Sequence, residues 1–201
     1  MAIEASVWIY WGCCLIAASL VVAQRGSAEQ LLGPRLESPL DKHGYKTALS
    51  FGWVLTLMTA FSYVLFTRKF ETGPYSIGDI VTFSLLNGVL EQFMFIFWFL
   101  CGCYLGKLAA PANEKWVFAS GYLGYFCFSG PIHAFFWVAV LPAHLPVTSL
   151  MVSLLAATSL AWMWAFWRYR AVGAIVAMHA VMDFLMIGHL HTKWFEPHQL
   201  L

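Results

Sequence analysis

The sequence predicts an all-α, polytopic transmembrane helical bundle of about six spans, and three observations carry that expectation. Of its 201 residues 61% are hydrophobic and only 10% are charged, against about 25% charged in an ordinary soluble domain. Apolar runs long enough to cross a bilayer recur along the chain. Short segments rich in Gly, Pro and charge separate them. A water-soluble fold of this length has no interior large enough for so much apolar surface, whereas lipid accepts it.

The first apolar run covers about 6–23, and Glu4 with no preceding Lys or Arg makes a retained span a better expectation than a cleaved signal peptide. A polar stretch follows at 24–46, of which the part from Arg35 to Lys46 is expected to be a solvated loop. The second run, about 47–67, is closed by Arg68-Lys69, and Gly73-Pro74 marks a turn before the third, about 80–106, with Asp79 placed to cap it. The fourth covers about 116–141, Pro142 to Pro146 makes a tight turn, and the fifth and sixth cover about 147–167 and 171–190. Residues 1–201 are expected to form a single integral membrane domain, with no internal repeat.

Orientation follows the basic residues of short loops. Eight of them (Arg25, Arg35, Lys42, Lys46, Lys107, Lys115, Arg168 and Arg170) fall on one side and three (Arg68, Lys69 and Lys193) on the other. Both termini are therefore predicted to face away from the cytoplasm. A formal net charge of +1 offers no basic surface to nucleic acid. Trp8, Tyr10 and Trp11 at one end, and Trp162, Trp164, Trp167 and Tyr169 at the other, read as interfacial anchors. The five cysteines, Cys13, Cys14, Cys101, Cys103 and Cys127, lie in apolar runs and read as small buried side chains rather than as disulfides or metal ligands.

Four ionisable side chains are expected at bilayer depth, where such groups are costly and mark function. Glu91 lies in the third span, His133 in the fourth, and His179 and Asp183 in the sixth. His179 and Asp183 are four apart and share a helix face. At ~1.5 Å per residue, Glu91, His133, His179 and Asp183 lie ~22, ~25, ~12 and ~18 Å from the cytoplasmic ends of their helices, so one cavity can gather all four. Gly130-Pro131 loosens the helix just before His133. A Glu and a His around one water make a general-base pair, and a second His with a carboxyl group can stabilise an oxyanion. Two His, a Glu and an Asp are also legitimate zinc ligands, but no HExxH spacing is present, so no metal and no other cofactor is expected. His43, His144, His189, His191 and His198 lie in loops and the tail and carry less.

The order of these residues resembles the CAAX protease and bacteriocin-processing enzyme family of intramembrane prenyl-protein endopeptidases. That family shows a Glu-Glu pair followed by Arg, then Phe-x-x-x-His, then His-x-x-x-Asn or Asp, each on its own helix. Glu91-Gln92 stands at the first motif, Phe128 to His133 at the second with one additional residue, and His179 to Asp183 at the third. Arg168-Tyr169-Arg170-Ala171 resembles the short basic turn before the last motif, and the likeness covers about 80–190 by motif order. It implies Glu91 and His133 as the water-activating pair, His179 and Asp183 as oxyanion support, and Gln92 in a supporting place. Gln92 and Ile96 replace the family's second Glu and its Arg, a paired loss that strands no buried charge.

The function expected is a divergent intramembrane hydrolase of the glutamate type, acting on a peptide or acyl bond. The bilayer would be its surroundings and a membrane-associated or lipidated peptide its partner. The alternatives are a non-catalytic protein of the same fold that binds a haem, pigment or lipid or serves membrane-complex assembly, and a transporter or proton relay built on the same deep polar residues.

Overall fold

The computed structural model describes residues 3–25, 36–67, 77–140 and 142–187, and apart from short turns those residues are helical with no strand. We number the α-helices α1 (Ile3–Arg25), α2 (Pro39–Thr67), α3 (Ile77–Ala109), α4 (Glu114–Phe135), α5 (Thr148–Tyr169) and α6 (Val172–Ile187). A π-helical turn, Phe136–Val140, and a 3₁₀ helix, Pro142–Val147, link α4 to α5. The Gly73-Pro74 turn, Arg35, Arg68, Lys69, Lys193 and the tail histidines His189, His191 and His198 lie outside the described residues.

Three helices are long and apolar enough to cross a membrane: Pro39–Thr67, Ile77–Ala109 and the combined stretch Ala143–Tyr169. Two shorter apolar stretches, Val7–Ala23 and Val172–Met186, accompany them. The chain is thus an all-α membrane protein. Leu57, Phe61, Leu65, Leu85, Val89 and Phe135 are among many large apolar side chains facing outward, which lipid accepts and water would not.

The solvated loop expected from Arg35 to Lys46 is corrected from residue 39 onward, because α2 begins at Pro39. Ser38 supplies the reason. Its Oγ accepts the Asp41 backbone N–H at 3.1 Å and donates to Asp41 Oδ2 at 2.8 Å, Pro39 occupies the first helical position, and Asp41 sits in the positive first turn. Arg168, at the end of α5, donates to Asp41 Oδ1 at 3.0 Å, and the Tyr45 and Tyr169 rings meet edge to face, so the start of α2 and the end of α5 share one face of the bundle. Arg170 then takes a left-handed backbone (φ 52°), closing α5 through its N–H to Phe166 O and sending the chain straight into α6.

α3 is the central helix and packs on α1, α4 and α6, while α2 packs on α5 and α6. Threonines hold α2 to α5. Thr59 and Thr158 hydroxyls lie 2.8 Å apart, Thr158 also donates to Leu55 O, and Trp162 Nε1 donates to Thr56 Oγ1 at 3.0 Å. α3 meets α4 through small residues. A Cβ on Gly102 would stand 2.2 Å from Ser120 O, and one on Gly124 2.7 Å from Trp98 O, so only glycine permits this approach. α3 meets α6 in the same way, since a Cβ on Gly88 would come within 2.9 Å of three atoms of Ala180. That contact sets the site, because Gly88 lies between Asn87 and Glu91 on one helix and Ala180 between His179 and Asp183 on the other.

Two of the expected interfacial anchors at the start of α1 turn inward. Trp11 is buried and donates from Nε1 to Asn87 Oδ1 at 2.9 Å, and the Tyr10 hydroxyl donates to Glu91 Oε1. Trp8 faces outward as expected. At the end of α5, Trp162 and Tyr169 are buried and Trp164 is exposed. Tyr10, Trp11 and Trp162 place their ring donors on buried acceptors, and the Tyr169 ring packs on Tyr45. Asp79 lies inside the first turn of α3, buried, with Oδ2 unpartnered among the described residues, rather than capping the helix. The five cysteines are free; Cys14 and Cys103 are buried, whereas Cys13 and Cys127 are exposed.

A candidate carboxylate–histidine site

Close packing at Gly88 and Ala180 brings the polar faces of α3 and α6 together. His179 Nε2 lies 3.3 Å from Glu91 Oε2 and 3.7 Å from Asp183 Oδ1. Asn87, one turn before Glu91, spans the two carboxylates. Its Nδ2 donates to Glu91 Oε2 at 2.8 Å and to Asp183 Oδ2 at 2.9 Å. Both hydrogens of the amide are thus used, and its Oδ1 accepts from Trp11. The second oxygen of Glu91 accepts from Tyr10, so α1 closes the cluster. Residues of three helices therefore fix one carboxylate whose side chain is 11% exposed, beside an imidazole that is 4% exposed.

Aromatic rings wall the imidazole. Phe95, one turn after Glu91, stacks on His179 with centroids 5.7 Å apart and planes 11° apart, and Trp162 lies 5.4 Å away. Asp183 is the most open member, its side chain 14% exposed. His179 Nδ1 is buried and has no partner among the described residues.

Of the four ionisable residues expected at depth, Glu91, His179 and Asp183 meet directly, and His133 stands apart. Its Nδ1 donates to Ser129 O at 2.7 Å, one turn back on its own helix. Its ring contacts Phe95 at 6.2 Å and Trp137 at 6.1 Å. Phe95 thus touches both histidines, and no hydrogen bond or ion pair joins His133 to the carboxylates. Gln92 is fully buried, and neither end of its amide finds a partner among the described residues. The helix continues through Pro131 and gives way to the π turn just beyond His133.

Three participants went unassigned in the sequence. Asn87 needed only its i,i+4 relation to Glu91 to be noticed. Tyr10 and Trp11 had no such signal; what pointed to them was that a carboxylate in an apolar surround needs donors, and α1 carries two ring donors side by side. His144, expected in a Pro-rich turn, lies in the 3₁₀ helix and is buried, with Nδ1 2.9 Å from the Tyr63 hydroxyl.

No protein-family model, no curated protein and no solved structure matches this chain.

Proposed function

We propose that the protein is an intramembrane hydrolase that uses Glu91 and His179 to activate water against a peptide or acyl bond of a membrane-associated or lipidated substrate. The single observation that carries this reading is the 3.3 Å approach of Glu91 Oε2 to His179 Nε2 inside an apolar helical bundle, with Asn87 bridging Glu91 to Asp183. A carboxylate at such depth is costly to maintain, and its elaborate support argues for use. Glu91 takes a proton from the water as its oxygen attacks the carbonyl carbon. His179 Nε2–H, held beside Asp183, donates to the oxyanion that forms. Collapse of the tetrahedral species breaks the bond to the leaving group, which receives the proton from Glu91. The resemblance noted in the sequence gives the water-activating role to Glu91 and His133. In the geometry seen here His179 is the nearer partner, and His133 contacts Phe95 rather than the carboxylates.

The same reading takes all six helices as spans, with both termini on the non-cytoplasmic side. The shared face of Asp41 and Arg168, with Lys42, Lys46 and Arg170 close by in sequence, supports that topology. Cleavage of a library of lipidated peptides and acyl esters by protein in liposomes tests the function. Turnover by wild type with loss of about 10²–10⁴-fold in Glu91→Gln is the expected result, the range a positioned acid–base group contributes. Equal turnover by Glu91→Gln ends the reading.

A further inference from the structure

We propose that Glu91, His179 and Asp183 form the three-ligand binding site of one divalent zinc-type ion, with the fourth position left open. The three donor atoms, one carboxylate oxygen from each acid and one ring nitrogen, all lie within 4.8 Å of one another. Ligands bound at about 2.1 Å in a tetrahedral site stand about 3.4 Å apart. The two distances that His179 Nε2 makes, 3.3 Å to Glu91 and 3.7 Å to Asp183, already bracket that spacing. The separation of the two acids is at most 4.8 Å, so closing the site requires side-chain shifts of up to about an ångström rather than movement of a helix.

Charge points the same way. One buried and one partly buried carboxylate face one imidazole, and among the described residues neither is paired with Lys or Arg. A divalent cation balances both acids in a surround where unpaired charge is expensive. The ligands are also held from behind, as metal ligands usually are. Tyr10 anchors the far oxygen of Glu91, and Asn87 orients both acids. One nitrogen and two oxygens suit Zn²⁺, and three protein ligands with an open place describe a hydrolytic rather than a structural site. Ion binding stands by itself; the use of the ion to activate water rests on the hydrolase reading above, and with Glu91 and His179 Nε2 engaged as ligands the ion would take over from them the activation of water and the support of the oxyanion.

The test is metal binding by full-length protein in detergent, made without a polyhistidine tag, stripped with chelator and titrated with Zn²⁺ and Co²⁺. Wild type is expected to take up one equivalent, to show the visible d–d bands of four-coordinate Co²⁺ without thiolate bands, and to melt at higher temperature with Zn²⁺. The near-isosteric variants His179→Gln and Asp183→Asn should each bind more than about a hundredfold more weakly, and Tyr10→Phe about tenfold, in line with losses at ligands and their supports. His133→Gln, and a variant with His189, His191 and His198 all changed to Ala, should bind as wild type does. Absence of uptake by wild type overturns the site, as does uptake that survives both His179→Gln and Asp183→Asn or disappears with the tail histidines. The metal-free melts of the variants separate loss of ligand from loss of fold. Hydrolysis that continues after complete metal removal overturns the role of the ion and leaves the hydrolase reading standing. Tight binding without any hydrolysis overturns that reading and leaves the metal site standing.

Discussion

The two halves of α3 solve the same packing problem in opposite ways. From Asp79 to Gln92 the helix presents Asn87, Gly88 and Glu91 to α1 and α6, and polar side chains bridge the gap between helices. From Phe95 to Gly106 it presents Phe95, Ile96, Phe99, Gly102, Cys103 and Gly106, and the contact with α4 is dry. Small residues serve both halves, Gly88 in the first and Gly102 with Gly106 in the second. The difference teaches that close approach is the common device. What the neighbouring residues carry decides whether that approach makes a site or only holds the bundle together. In lipid, packing and interhelical hydrogen bonds drive association, so a polar half is not needed for stability alone.

The comparison breaks most sharply at the glycines. Gly102→Ala puts a methyl 2.2 Å from Ser120 O, a backbone atom that can yield only if α4 moves. We expect a loss of about 3 kcal/mol, at the upper end for overpacking, read from thermal or denaturant unfolding in detergent. Metal uptake by the folded fraction should survive, because that contact lies some 16 Å along the helix from Glu91. Gly88→Ala meets Ala180 Cα and Cβ at 2.8 and 2.9 Å and should cost about 2 kcal/mol. Here the displaced helix carries His179 and Asp183, so metal uptake and turnover should fall together. If Gly102→Ala also abolishes uptake, the two halves are not separable. Asn87→Ala comes next. It removes the donor shared by both carboxylates and the acceptor of Trp11, and should cost about 2 kcal/mol, with less loss in the metal-loaded protein than in the stripped protein.

These halves were unequally legible in the sequence. Apolar runs separated by Gly, Pro and charge gave the helical class and most helix limits, since lipid imposes a length and a composition that can be counted. Glu91, His179 and Asp183 stood out for the same reason: each is an expensive residue in an apolar run. Their meeting was inferable from depth and from the i,i+4 step alone. His133 has the same depth and the same cost, but depth is one coordinate. The direction in which a helix faces is another that apolarity on all sides leaves unmarked, and it brings His133 to Phe95 instead of the carboxylates. The inward turn of Tyr10 and Trp11 was hidden because an aromatic ring at a helix start fits an interfacial belt equally well. The early start of α2 was legible in Ser38-Pro39 and Asp41, a capping pattern overridden in reading by the polarity of the stretch.

Gln92 sits at the boundary between the halves and gives the smallest and most diagnostic change. Its side chain is fully buried, and neither Oε1 nor Nε2 reaches a partner among the described residues, so the amide contributes bulk and a desolvation cost. Met has similar volume, no strong donor or acceptor, and packs in the same space. Gln92→Met is therefore expected to raise stability by about 1 kcal/mol, against the usual direction for a core substitution, with metal uptake at the Glu91 cluster unchanged. A matched pair of unfolding curves in one detergent decides it. A stabilised variant with intact uptake assigns Gln92 to the dry half and ends the polar half at Glu91. A destabilised variant with weakened uptake makes the amide a working member of the site and extends the polar half by one residue.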